Sequence, residues 1–381
     1  VTPLASIIGS GFLVAGPILS HVAGNWAWVA MAGLCGAAYV FGAAIRYNIA
    51  HVEPRAGNLP RDIALLERAS YYALAFAYFL SVCYYLNLFA SFALKADGIV
   101  DPQLTRWIST VTIASLGLLG TFRGLRAMEH IEVAAVGMKL ALIGGLLTAL
   151  VFSDIIAASS GSFSLPAFPY QSGFKEFGIL LGLVILVQGF ETSRYLGEAY
   201  DGPMRIKTMR YAQLIATAIY VAFIFFATPY FPQSLPPVGG ETQIIDMLAP
   251  LGNAVGPLII FAALASQLSA AVADMNGAGG LLEDASRRRI PVKIGYFATA
   301  CVAVLITWIA NIFEIIVYAS KAFVIYYGIQ SITALLVAVR QDLPKKKIEI
   351  SIFAGGALLA LLVLLFGMPV EAGDILGNVF Q

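Results

Sequence analysis

Eleven stretches of mostly apolar residues run along this chain, at 2–20, 25–47, 69–95, 106–122, 130–152, 174–198, 210–231, 252–282, 292–311, 313–339 and 350–368. A helix of roughly 20 residues spans about 30 Å, the thickness of a bilayer's hydrocarbon core. In lipid every backbone N–H and C=O must find a partner within the protein, which leaves only helices and closed barrels as spanning structures. Runs of this length exceed the ten or so alternating residues of a barrel strand. The sequence therefore predicts an all-α polytopic membrane protein with eleven visible spans. Of its 381 residues 59% are hydrophobic and 12% charged, about half the charged share of a soluble domain.

The few charges fix an expected topology. With the N-terminus in the cytoplasm, 17 of the 23 Lys and Arg fall in inner loops. Three (Lys95, Arg106, Lys175) fall outside, and Lys139, Arg194 and Lys321 lie within spans. This asymmetry obeys the positive-inside rule and predicts an integral protein of the plasma (inner) membrane with a cytoplasmic N-terminus. No basic segment precedes span 1, so no signal peptide is expected. The chain starts without Met and almost inside a span, so a cytoplasmic N-terminal tail is expected to be missing. An odd span count places the C-terminus outside and suggests an absent twelfth helix. A net charge of +1 gives no basic field for nucleic acid. Cys35, Cys83 and Cys301 sit in apolar runs without CxxC spacing, so neither a disulfide framework nor a metal site follows.

Spans 1 and 6 share a peculiarity at mid-membrane depth. Span 1 reads Ile8-Gly9-Ser10-Gly11-Phe12 and span 6 reads Gln188-Gly189-Phe190-Glu191-Thr192-Ser193. Closely spaced glycines favour an unwound stretch. The two breaks lie five spans apart in helices of opposite direction. Matching breaks in two halves point to a transporter's central site, and here to inverted repeats over 1–152 and 174–339, with 350–368 as an additional span. Alternatively, the glycines serve only close helix packing.

Several segments resemble permeases of the amino acid–polyamine–organocation (APC) superfamily. They are Ile8–Phe12, the Pro54-Arg55-Ala56-Gly57 segment, Lys139 in span 5, and Gly189-Phe190-Glu191 with Glu198 and Pro203-Met204-Arg205. Asn48 and Tyr200-Asp201-Gly202 depart from the family's usual residues. The resemblance implies a LeuT-like five-plus-five inverted-repeat transporter fold with broken helices 1 and 6. It also implies that the breaks hold the substrate and that Lys139 occupies the place of sodium in sodium-coupled relatives.

The residues allow a chemical assignment. Freed N–H groups and a helix N-terminus suit a carboxylate, and freed carbonyls suit an ammonium. The substrate carboxylate is assigned to the Gly9–Gly11 amides and the Ser10 hydroxyl. The amine is assigned to carbonyls near Ile7 and near Gln188 or Gly189. Gly11→Leu is accordingly expected to abolish binding while sparing the fold. Phe190 is expected beside the substrate as a gate, and Tyr84 or Tyr85 could close the site from the side. Both tyrosines can equally be packing residues.

Lys139, near the bilayer midplane, is costly unless it faces the interior. A lysine there can exchange a proton during transport, or it can be a static tie to span 1. In span 8, Ser266, Ser269 and Asp274 offer oxygen ligands for sodium as the alternative coupling ion. Glu191–Arg194 or Arg194–Glu198 is expected to pair within helix 6, with Glu198 in an inner gate. Glu314 and Lys321 share a face of span 10 and are assigned to an outer gate, with snorkelling of Lys321 as the other reading.

The function expected is alternating-access transport of a small amino acid or related amine, coupled to H+ or working as an exchanger. Alternatives are an inorganic-ion or sodium-coupled transporter on the same scaffold, and a substrate sensor that no longer transports. No cofactor is implied; the expected partners are a small-molecule substrate and membrane lipid. With no HExxH, Walker loop or nucleophile elbow, an enzyme is not expected.

Overall fold

The computed structural model describes residues 2–8, 11–124, 129–166, 173–196, 200–231, 240–341 and 346–370. Regular structure among them is helical throughout. The α-helices are α1 (Thr2–Ile7), α2 (Gly11–Ala23), α3 (Ala27–His51), α4 (Arg61–Ala96), α5 (Pro102–Arg123), α6 (Glu129–Ser159) and α7 (Phe174–Gly182). They continue as α8 (Gly202–Ala227), α9 (Ile244–Leu248), α10 (Val255–Ala285), α11 (Val292–Ile309), α12 (Ile312–Arg340) and α13 (Lys346–Phe366).

Among the described residues, eight stretches are long and apolar enough to cross a membrane. The expected spans outside that set have physical reasons. The first and sixth are broken into short pieces, and the remainder of the first runs into the second in the single stretch Leu13–His51. Helix α5 carries Gln103, Thr105, Arg106, Ser109, Thr110 and Thr112, which dilute its apolar character. Helix α4 begins well before its apolar run, because Arg61, Asp62, Glu67 and Arg68 continue the helix beyond the apolar segment. Large apolar side chains such as Leu118, Phe122, Phe152, Leu305 and Ile309 are exposed, as a lipid-facing surface requires and an aqueous one does not. The chain is an integral membrane protein.

Helix starts follow their sequence signals. Asp101 accepts from the Gln103 and Leu104 amides (2.8 and 3.2 Å), with Pro102 at the first helical position. Asp201 caps α8 through the Met204 amide. Asn311 and Glu314 form a reciprocal capping box at the start of α12.

The longest helix, α4, is the centre of the bundle and packs on α10, α12, α5 and α11. Helix α3 packs on α8 and α12, α5 on α11, and α6 on α10 and α8. The ends of helices far apart in sequence meet at one end of the bundle. Arg340 pairs with Asp62 at 2.5 Å, and Arg68 Nε and Tyr72 Oη donate to the Ala285 carbonyl. This arginine-rich end lies opposite the end where Lys95 pairs with Asp246 at 2.7 Å.

Candidate functional site

Both helix breaks are present, and they are wedged into each other. The first helix stops at Ile7 and resumes as α2 at Gly11. In the second, α7 ends at Gly182 and is followed by tight 3₁₀ turns over Val184–Val187 and Phe190–Leu196. The segment does not return to α-helix after the break, as a single span over 174–198 would. A Cβ on Gly11 would collide with the Leu186 carbonyl oxygen. Reciprocally, Gly189 has φ +112°, and a Cβ there would lie 2.5 Å from the Ser6 carbonyl carbon. Each break thus presents a glycine to the other's backbone, so the packing reading of the glycines and the break reading hold together. Gly9 and Ser10, expected carboxylate ligands, lie outside the described residues.

Polar groups converge on the second break from two long helices, α4 and α12. Gln188 Nε2 donates to Tyr85 Oη on α4 at 2.8 Å. Glu191 Oε2 accepts from the Gly189 amide and from Tyr327 Oη on α12, each at 2.9 Å. The Ile185 amide donates to Ser320 Oγ at 2.9 Å. Phe190 stacks on Tyr327, whose ring also stacks on Phe41, with centroids 5.0 and 5.1 Å apart. Beside the first break, Tyr220 Oη donates to the Ile7 carbonyl at 2.5 Å, so that proposed amine acceptor already holds one hydrogen bond. Among the described residues, Gln188 Oε1 and Glu191 Oε1 are buried without a hydrogen-bond partner. Buried polar atoms are nearly always paired, so these two oxygens stand out as unused acceptors at the break.

Glu191 is fully buried and is the residue that sequence reasoning misplaced. Its expected pairing with Arg194 is absent: Arg194 instead pairs with Glu67 on α4, lies 3.5 Å from Glu53, and donates to Gln330 Oε1 on α12. Spacing of three residues sets a shared side, but carboxylates from other elements reach the guanidinium first. The signal that could have found Glu191 is its position directly after Gly189-Phe190. Arg205 extends the network, pairing with Glu53 at 2.6 Å and donating to the Ser193 and Arg194 carbonyls. The other expected partner of Arg194, Glu198, lies outside the described residues. A cavity of about 300 Å³ opens beside this network at the arginine-rich end.

The remaining nominated residues are dispersed. Tyr84 is buried beside Tyr85, with ring centroids 5.1 Å apart. Lys139 is buried on α6, which packs against α10 and α8. Asp274 on α10 accepts from Ser81 Oγ on α4. Ser266 is buried, its hydroxyl unpaired among the described residues, and Ser269 is half-buried. Glu314 is engaged in its capping box, and no ion pair joins it to Lys321 among the described residues. Among the described residues no group of three His, Cys, Asp or Glu side chains could hold a metal ion.

The Gln188–Tyr85 bond gives a testable expectation. Tyr85→Phe leaves a buried amide donor unpaired, at a cost of about 1–3 kcal/mol. Thermal unfolding in detergent should show it, and Tyr84→Phe serves as the comparison.

A membrane-embedded helical bundle with two interrupted helices meeting at its centre is that of a membrane transporter. Residues 1–367 match the model of a family described as an APC superfamily transporter. The chain belongs to the APC superfamily. A protein of Aquifex aeolicus (strain VF5), described as uncharacterized, is 40% identical over 376 residues, covering 97% of this chain and 90% of that protein. Crystal structures of two point mutants of the Eremococcus coleocola manganese transporter each give a TM-score of 0.56 at 12% identity. Each match covers 96% of this chain and 85% of the other. That likeness is one of fold.

Proposed function

We propose that the chain is a secondary active transporter that moves a small amino acid or related amine by alternating access. The observation that carries this reading is the reciprocal wedge of the two helix breaks, with unpaired Gln188 and Glu191 oxygens beside it. Ammonium groups bring the donors those oxygens lack. An interface held by backbone contact at two glycines can separate and re-form without unpairing long helices.

The helix packing supports a five-plus-five inverted repeat. Number the successive spans 1–10, with α1 and α2 as span 1 and α7 with its 3₁₀ turns as span 6. Then α3 on α8, α4 on α10 and α5 on α11 are contacts between equivalent spans, and α4 on α12 is mirrored by α10 on α6. A two-fold relation between the halves generates this pattern. Putting the arginine-rich end in the cytoplasm satisfies the positive-inside rule.

A second reading, inorganic-cation transport, is favoured by the fold likeness to a manganese transporter. Divalent cations of that kind take about six oxygen or nitrogen ligands with several carboxylates or imidazoles. The second break offers one carboxylate, Glu191, and one amide, Gln188, which fits an ammonium better.

The test is uptake into proteoliposomes. With a labelled pool of the twenty standard amino acids, an inward proton gradient should drive accumulation, and Lys139→Ala should abolish its pH dependence. Accumulation driven by sodium alone would transfer the coupling role to Ser266, Ser269 and Asp274. Cation flux without any organic solute would overturn the amino-acid reading.

A further inference from the structure

At the end of the bundle opposite the arginine-rich network lies a cavity of about 140 Å³, lined by the end of α4, the start of α5, the 3₁₀ turn Gly240–Thr242 and the start of α12. Two of its lining residues carry opposite charge, Glu241 and Arg106. Glu241 is 9% exposed. Among the described residues no hydrogen bond or ion pair engages its carboxylate, and none engages the guanidinium of the half-buried Arg106. Asp101, the third charged group on the wall, has Oδ1 held by the Gln103 and Leu104 amides.

Charges taken out of water are normally paired, because burial without a partner is costly. Here an anion and a cation share one cavity, yet neither pairs with the other. A ligand that completes both must itself carry a cationic and an anionic end. Asn87, Ser91, Thr105 and Asn311 line the same space; Asn87 and Thr105 already donate to Cys83, Thr307 and Asp101, which leaves the Ser91 hydroxyl to supply a hydrogen bond. Size agrees as well. A cavity of about 150 Å³ holds benzene, with six non-hydrogen atoms, and a small amino acid such as alanine also has six.

We propose that this cavity is a second binding site for a zwitterionic amino acid, with its ammonium on Glu241 and its carboxylate on Arg106. It is separate from the helix breaks, whose residues do not line it. It shares its ligand class with the proposed transport function and rests on that reading only for the expectation that the same solute fills both sites.

The test reads the cavity without reading transport. In full-length protein with the exposed Cys301 replaced by serine, Thr105→Cys places a thiol on the cavity wall; Cys35 and Cys83 are buried. Its labelling by a water-soluble maleimide should be slowed by a pool of the twenty standard amino acids. Ethylamine or propionate at equal concentration should protect far less. Glu241→Gln or Arg106→Gln should weaken protection about tenfold or more, as expected for losing one charged hydrogen-bond partner. Folding is checked by the melting temperature without ligand. Removing an unpaired buried charge should leave it unchanged or raised, whereas loss of a structural partner would lower it. Absent protection, protection equally strong with either single-charge solute, or protection unaltered in both variants would each overturn the proposal. Protection without uptake in proteoliposomes would leave this site standing and defeat the transport reading. Uptake without protection would do the reverse.

Discussion

Replacing Arg194 with glutamine should destabilise the protein by about 3–5 kcal/mol, the usual cost of removing one partner of a buried ion pair. The guanidinium is 3% exposed and holds Glu67, Glu53 and Gln330, which come from three separate elements. Its loss strands the Glu67 carboxylate, whose Oε1 already lacks a partner among the described residues. Glu67→Gln placed in the Arg194→Gln background should recover much of the loss. The double variant should then be more stable than the sum of the single changes predicts. Thermal unfolding of the four proteins in one detergent measures this, and strict additivity would show that the pair is not coupled. Arg205 should behave differently, since it also holds the Ser193 and Arg194 carbonyls of the 3₁₀ turn. Arg205→Lys keeps a charge for Glu53 but loses the fork whose separate nitrogens reach Glu53, the two turn carbonyls and the Tyr200 carbonyl at once.

Gly189→Ala should be as damaging, for a different reason. The backbone there has φ +112°, which costs a residue with a Cβ about 1–3 kcal/mol. The new methyl would also sit 2.5 Å from Ser6 backbone, and overpacking of that kind costs about another 1–3 kcal/mol. Gly11→Ala meets the Leu186 carbonyl in the same way, without the positive φ. Gly33→Ala and Gly36→Ala on α3 meet nothing within 4 Å and should leave stability nearly unchanged or slightly improved. Yield of monodisperse protein and melting temperature separate the two pairs. The contact at Gly11 also corrects the expectation that Gly11→Leu spares the fold. A side chain there pushes the two breaks apart before any substrate is involved.

The helices were legible in the sequence because lipid imposes one requirement, a long run of apolar residues with its backbone satisfied internally. The broken helices were legible because glycine and polar residues at mid-membrane depth have few other uses. Helix ends were less so: α4 extends to Arg61 and α6 to Ser159, where polar residues continue the helix past the apolar run. Partners of the charged residues were the least legible. Arg194 and Glu191 lie three apart, yet one joins the network at the arginine-rich end and the other the break. Glu314, assigned to a gate, also takes part in a capping box, a role that Asn311 three residues earlier could have signalled. Periodicity assigns a side of a helix. It does not say which of several carboxylates will reach a given guanidinium, because that depends on the packing of helices far apart in sequence.

Whether the two wedged breaks carry an amino acid across the membrane, as proposed, is read by counterflow. Proteoliposomes preloaded with unlabelled amino acids are given a trace of the labelled pool with no ion gradient. The account predicts a transient accumulation that is absent from empty liposomes and lost in Gly189→Ala protein that still incorporates. Equal label in preloaded and unloaded vesicles, together with flux of an inorganic cation through the same protein, would contradict it.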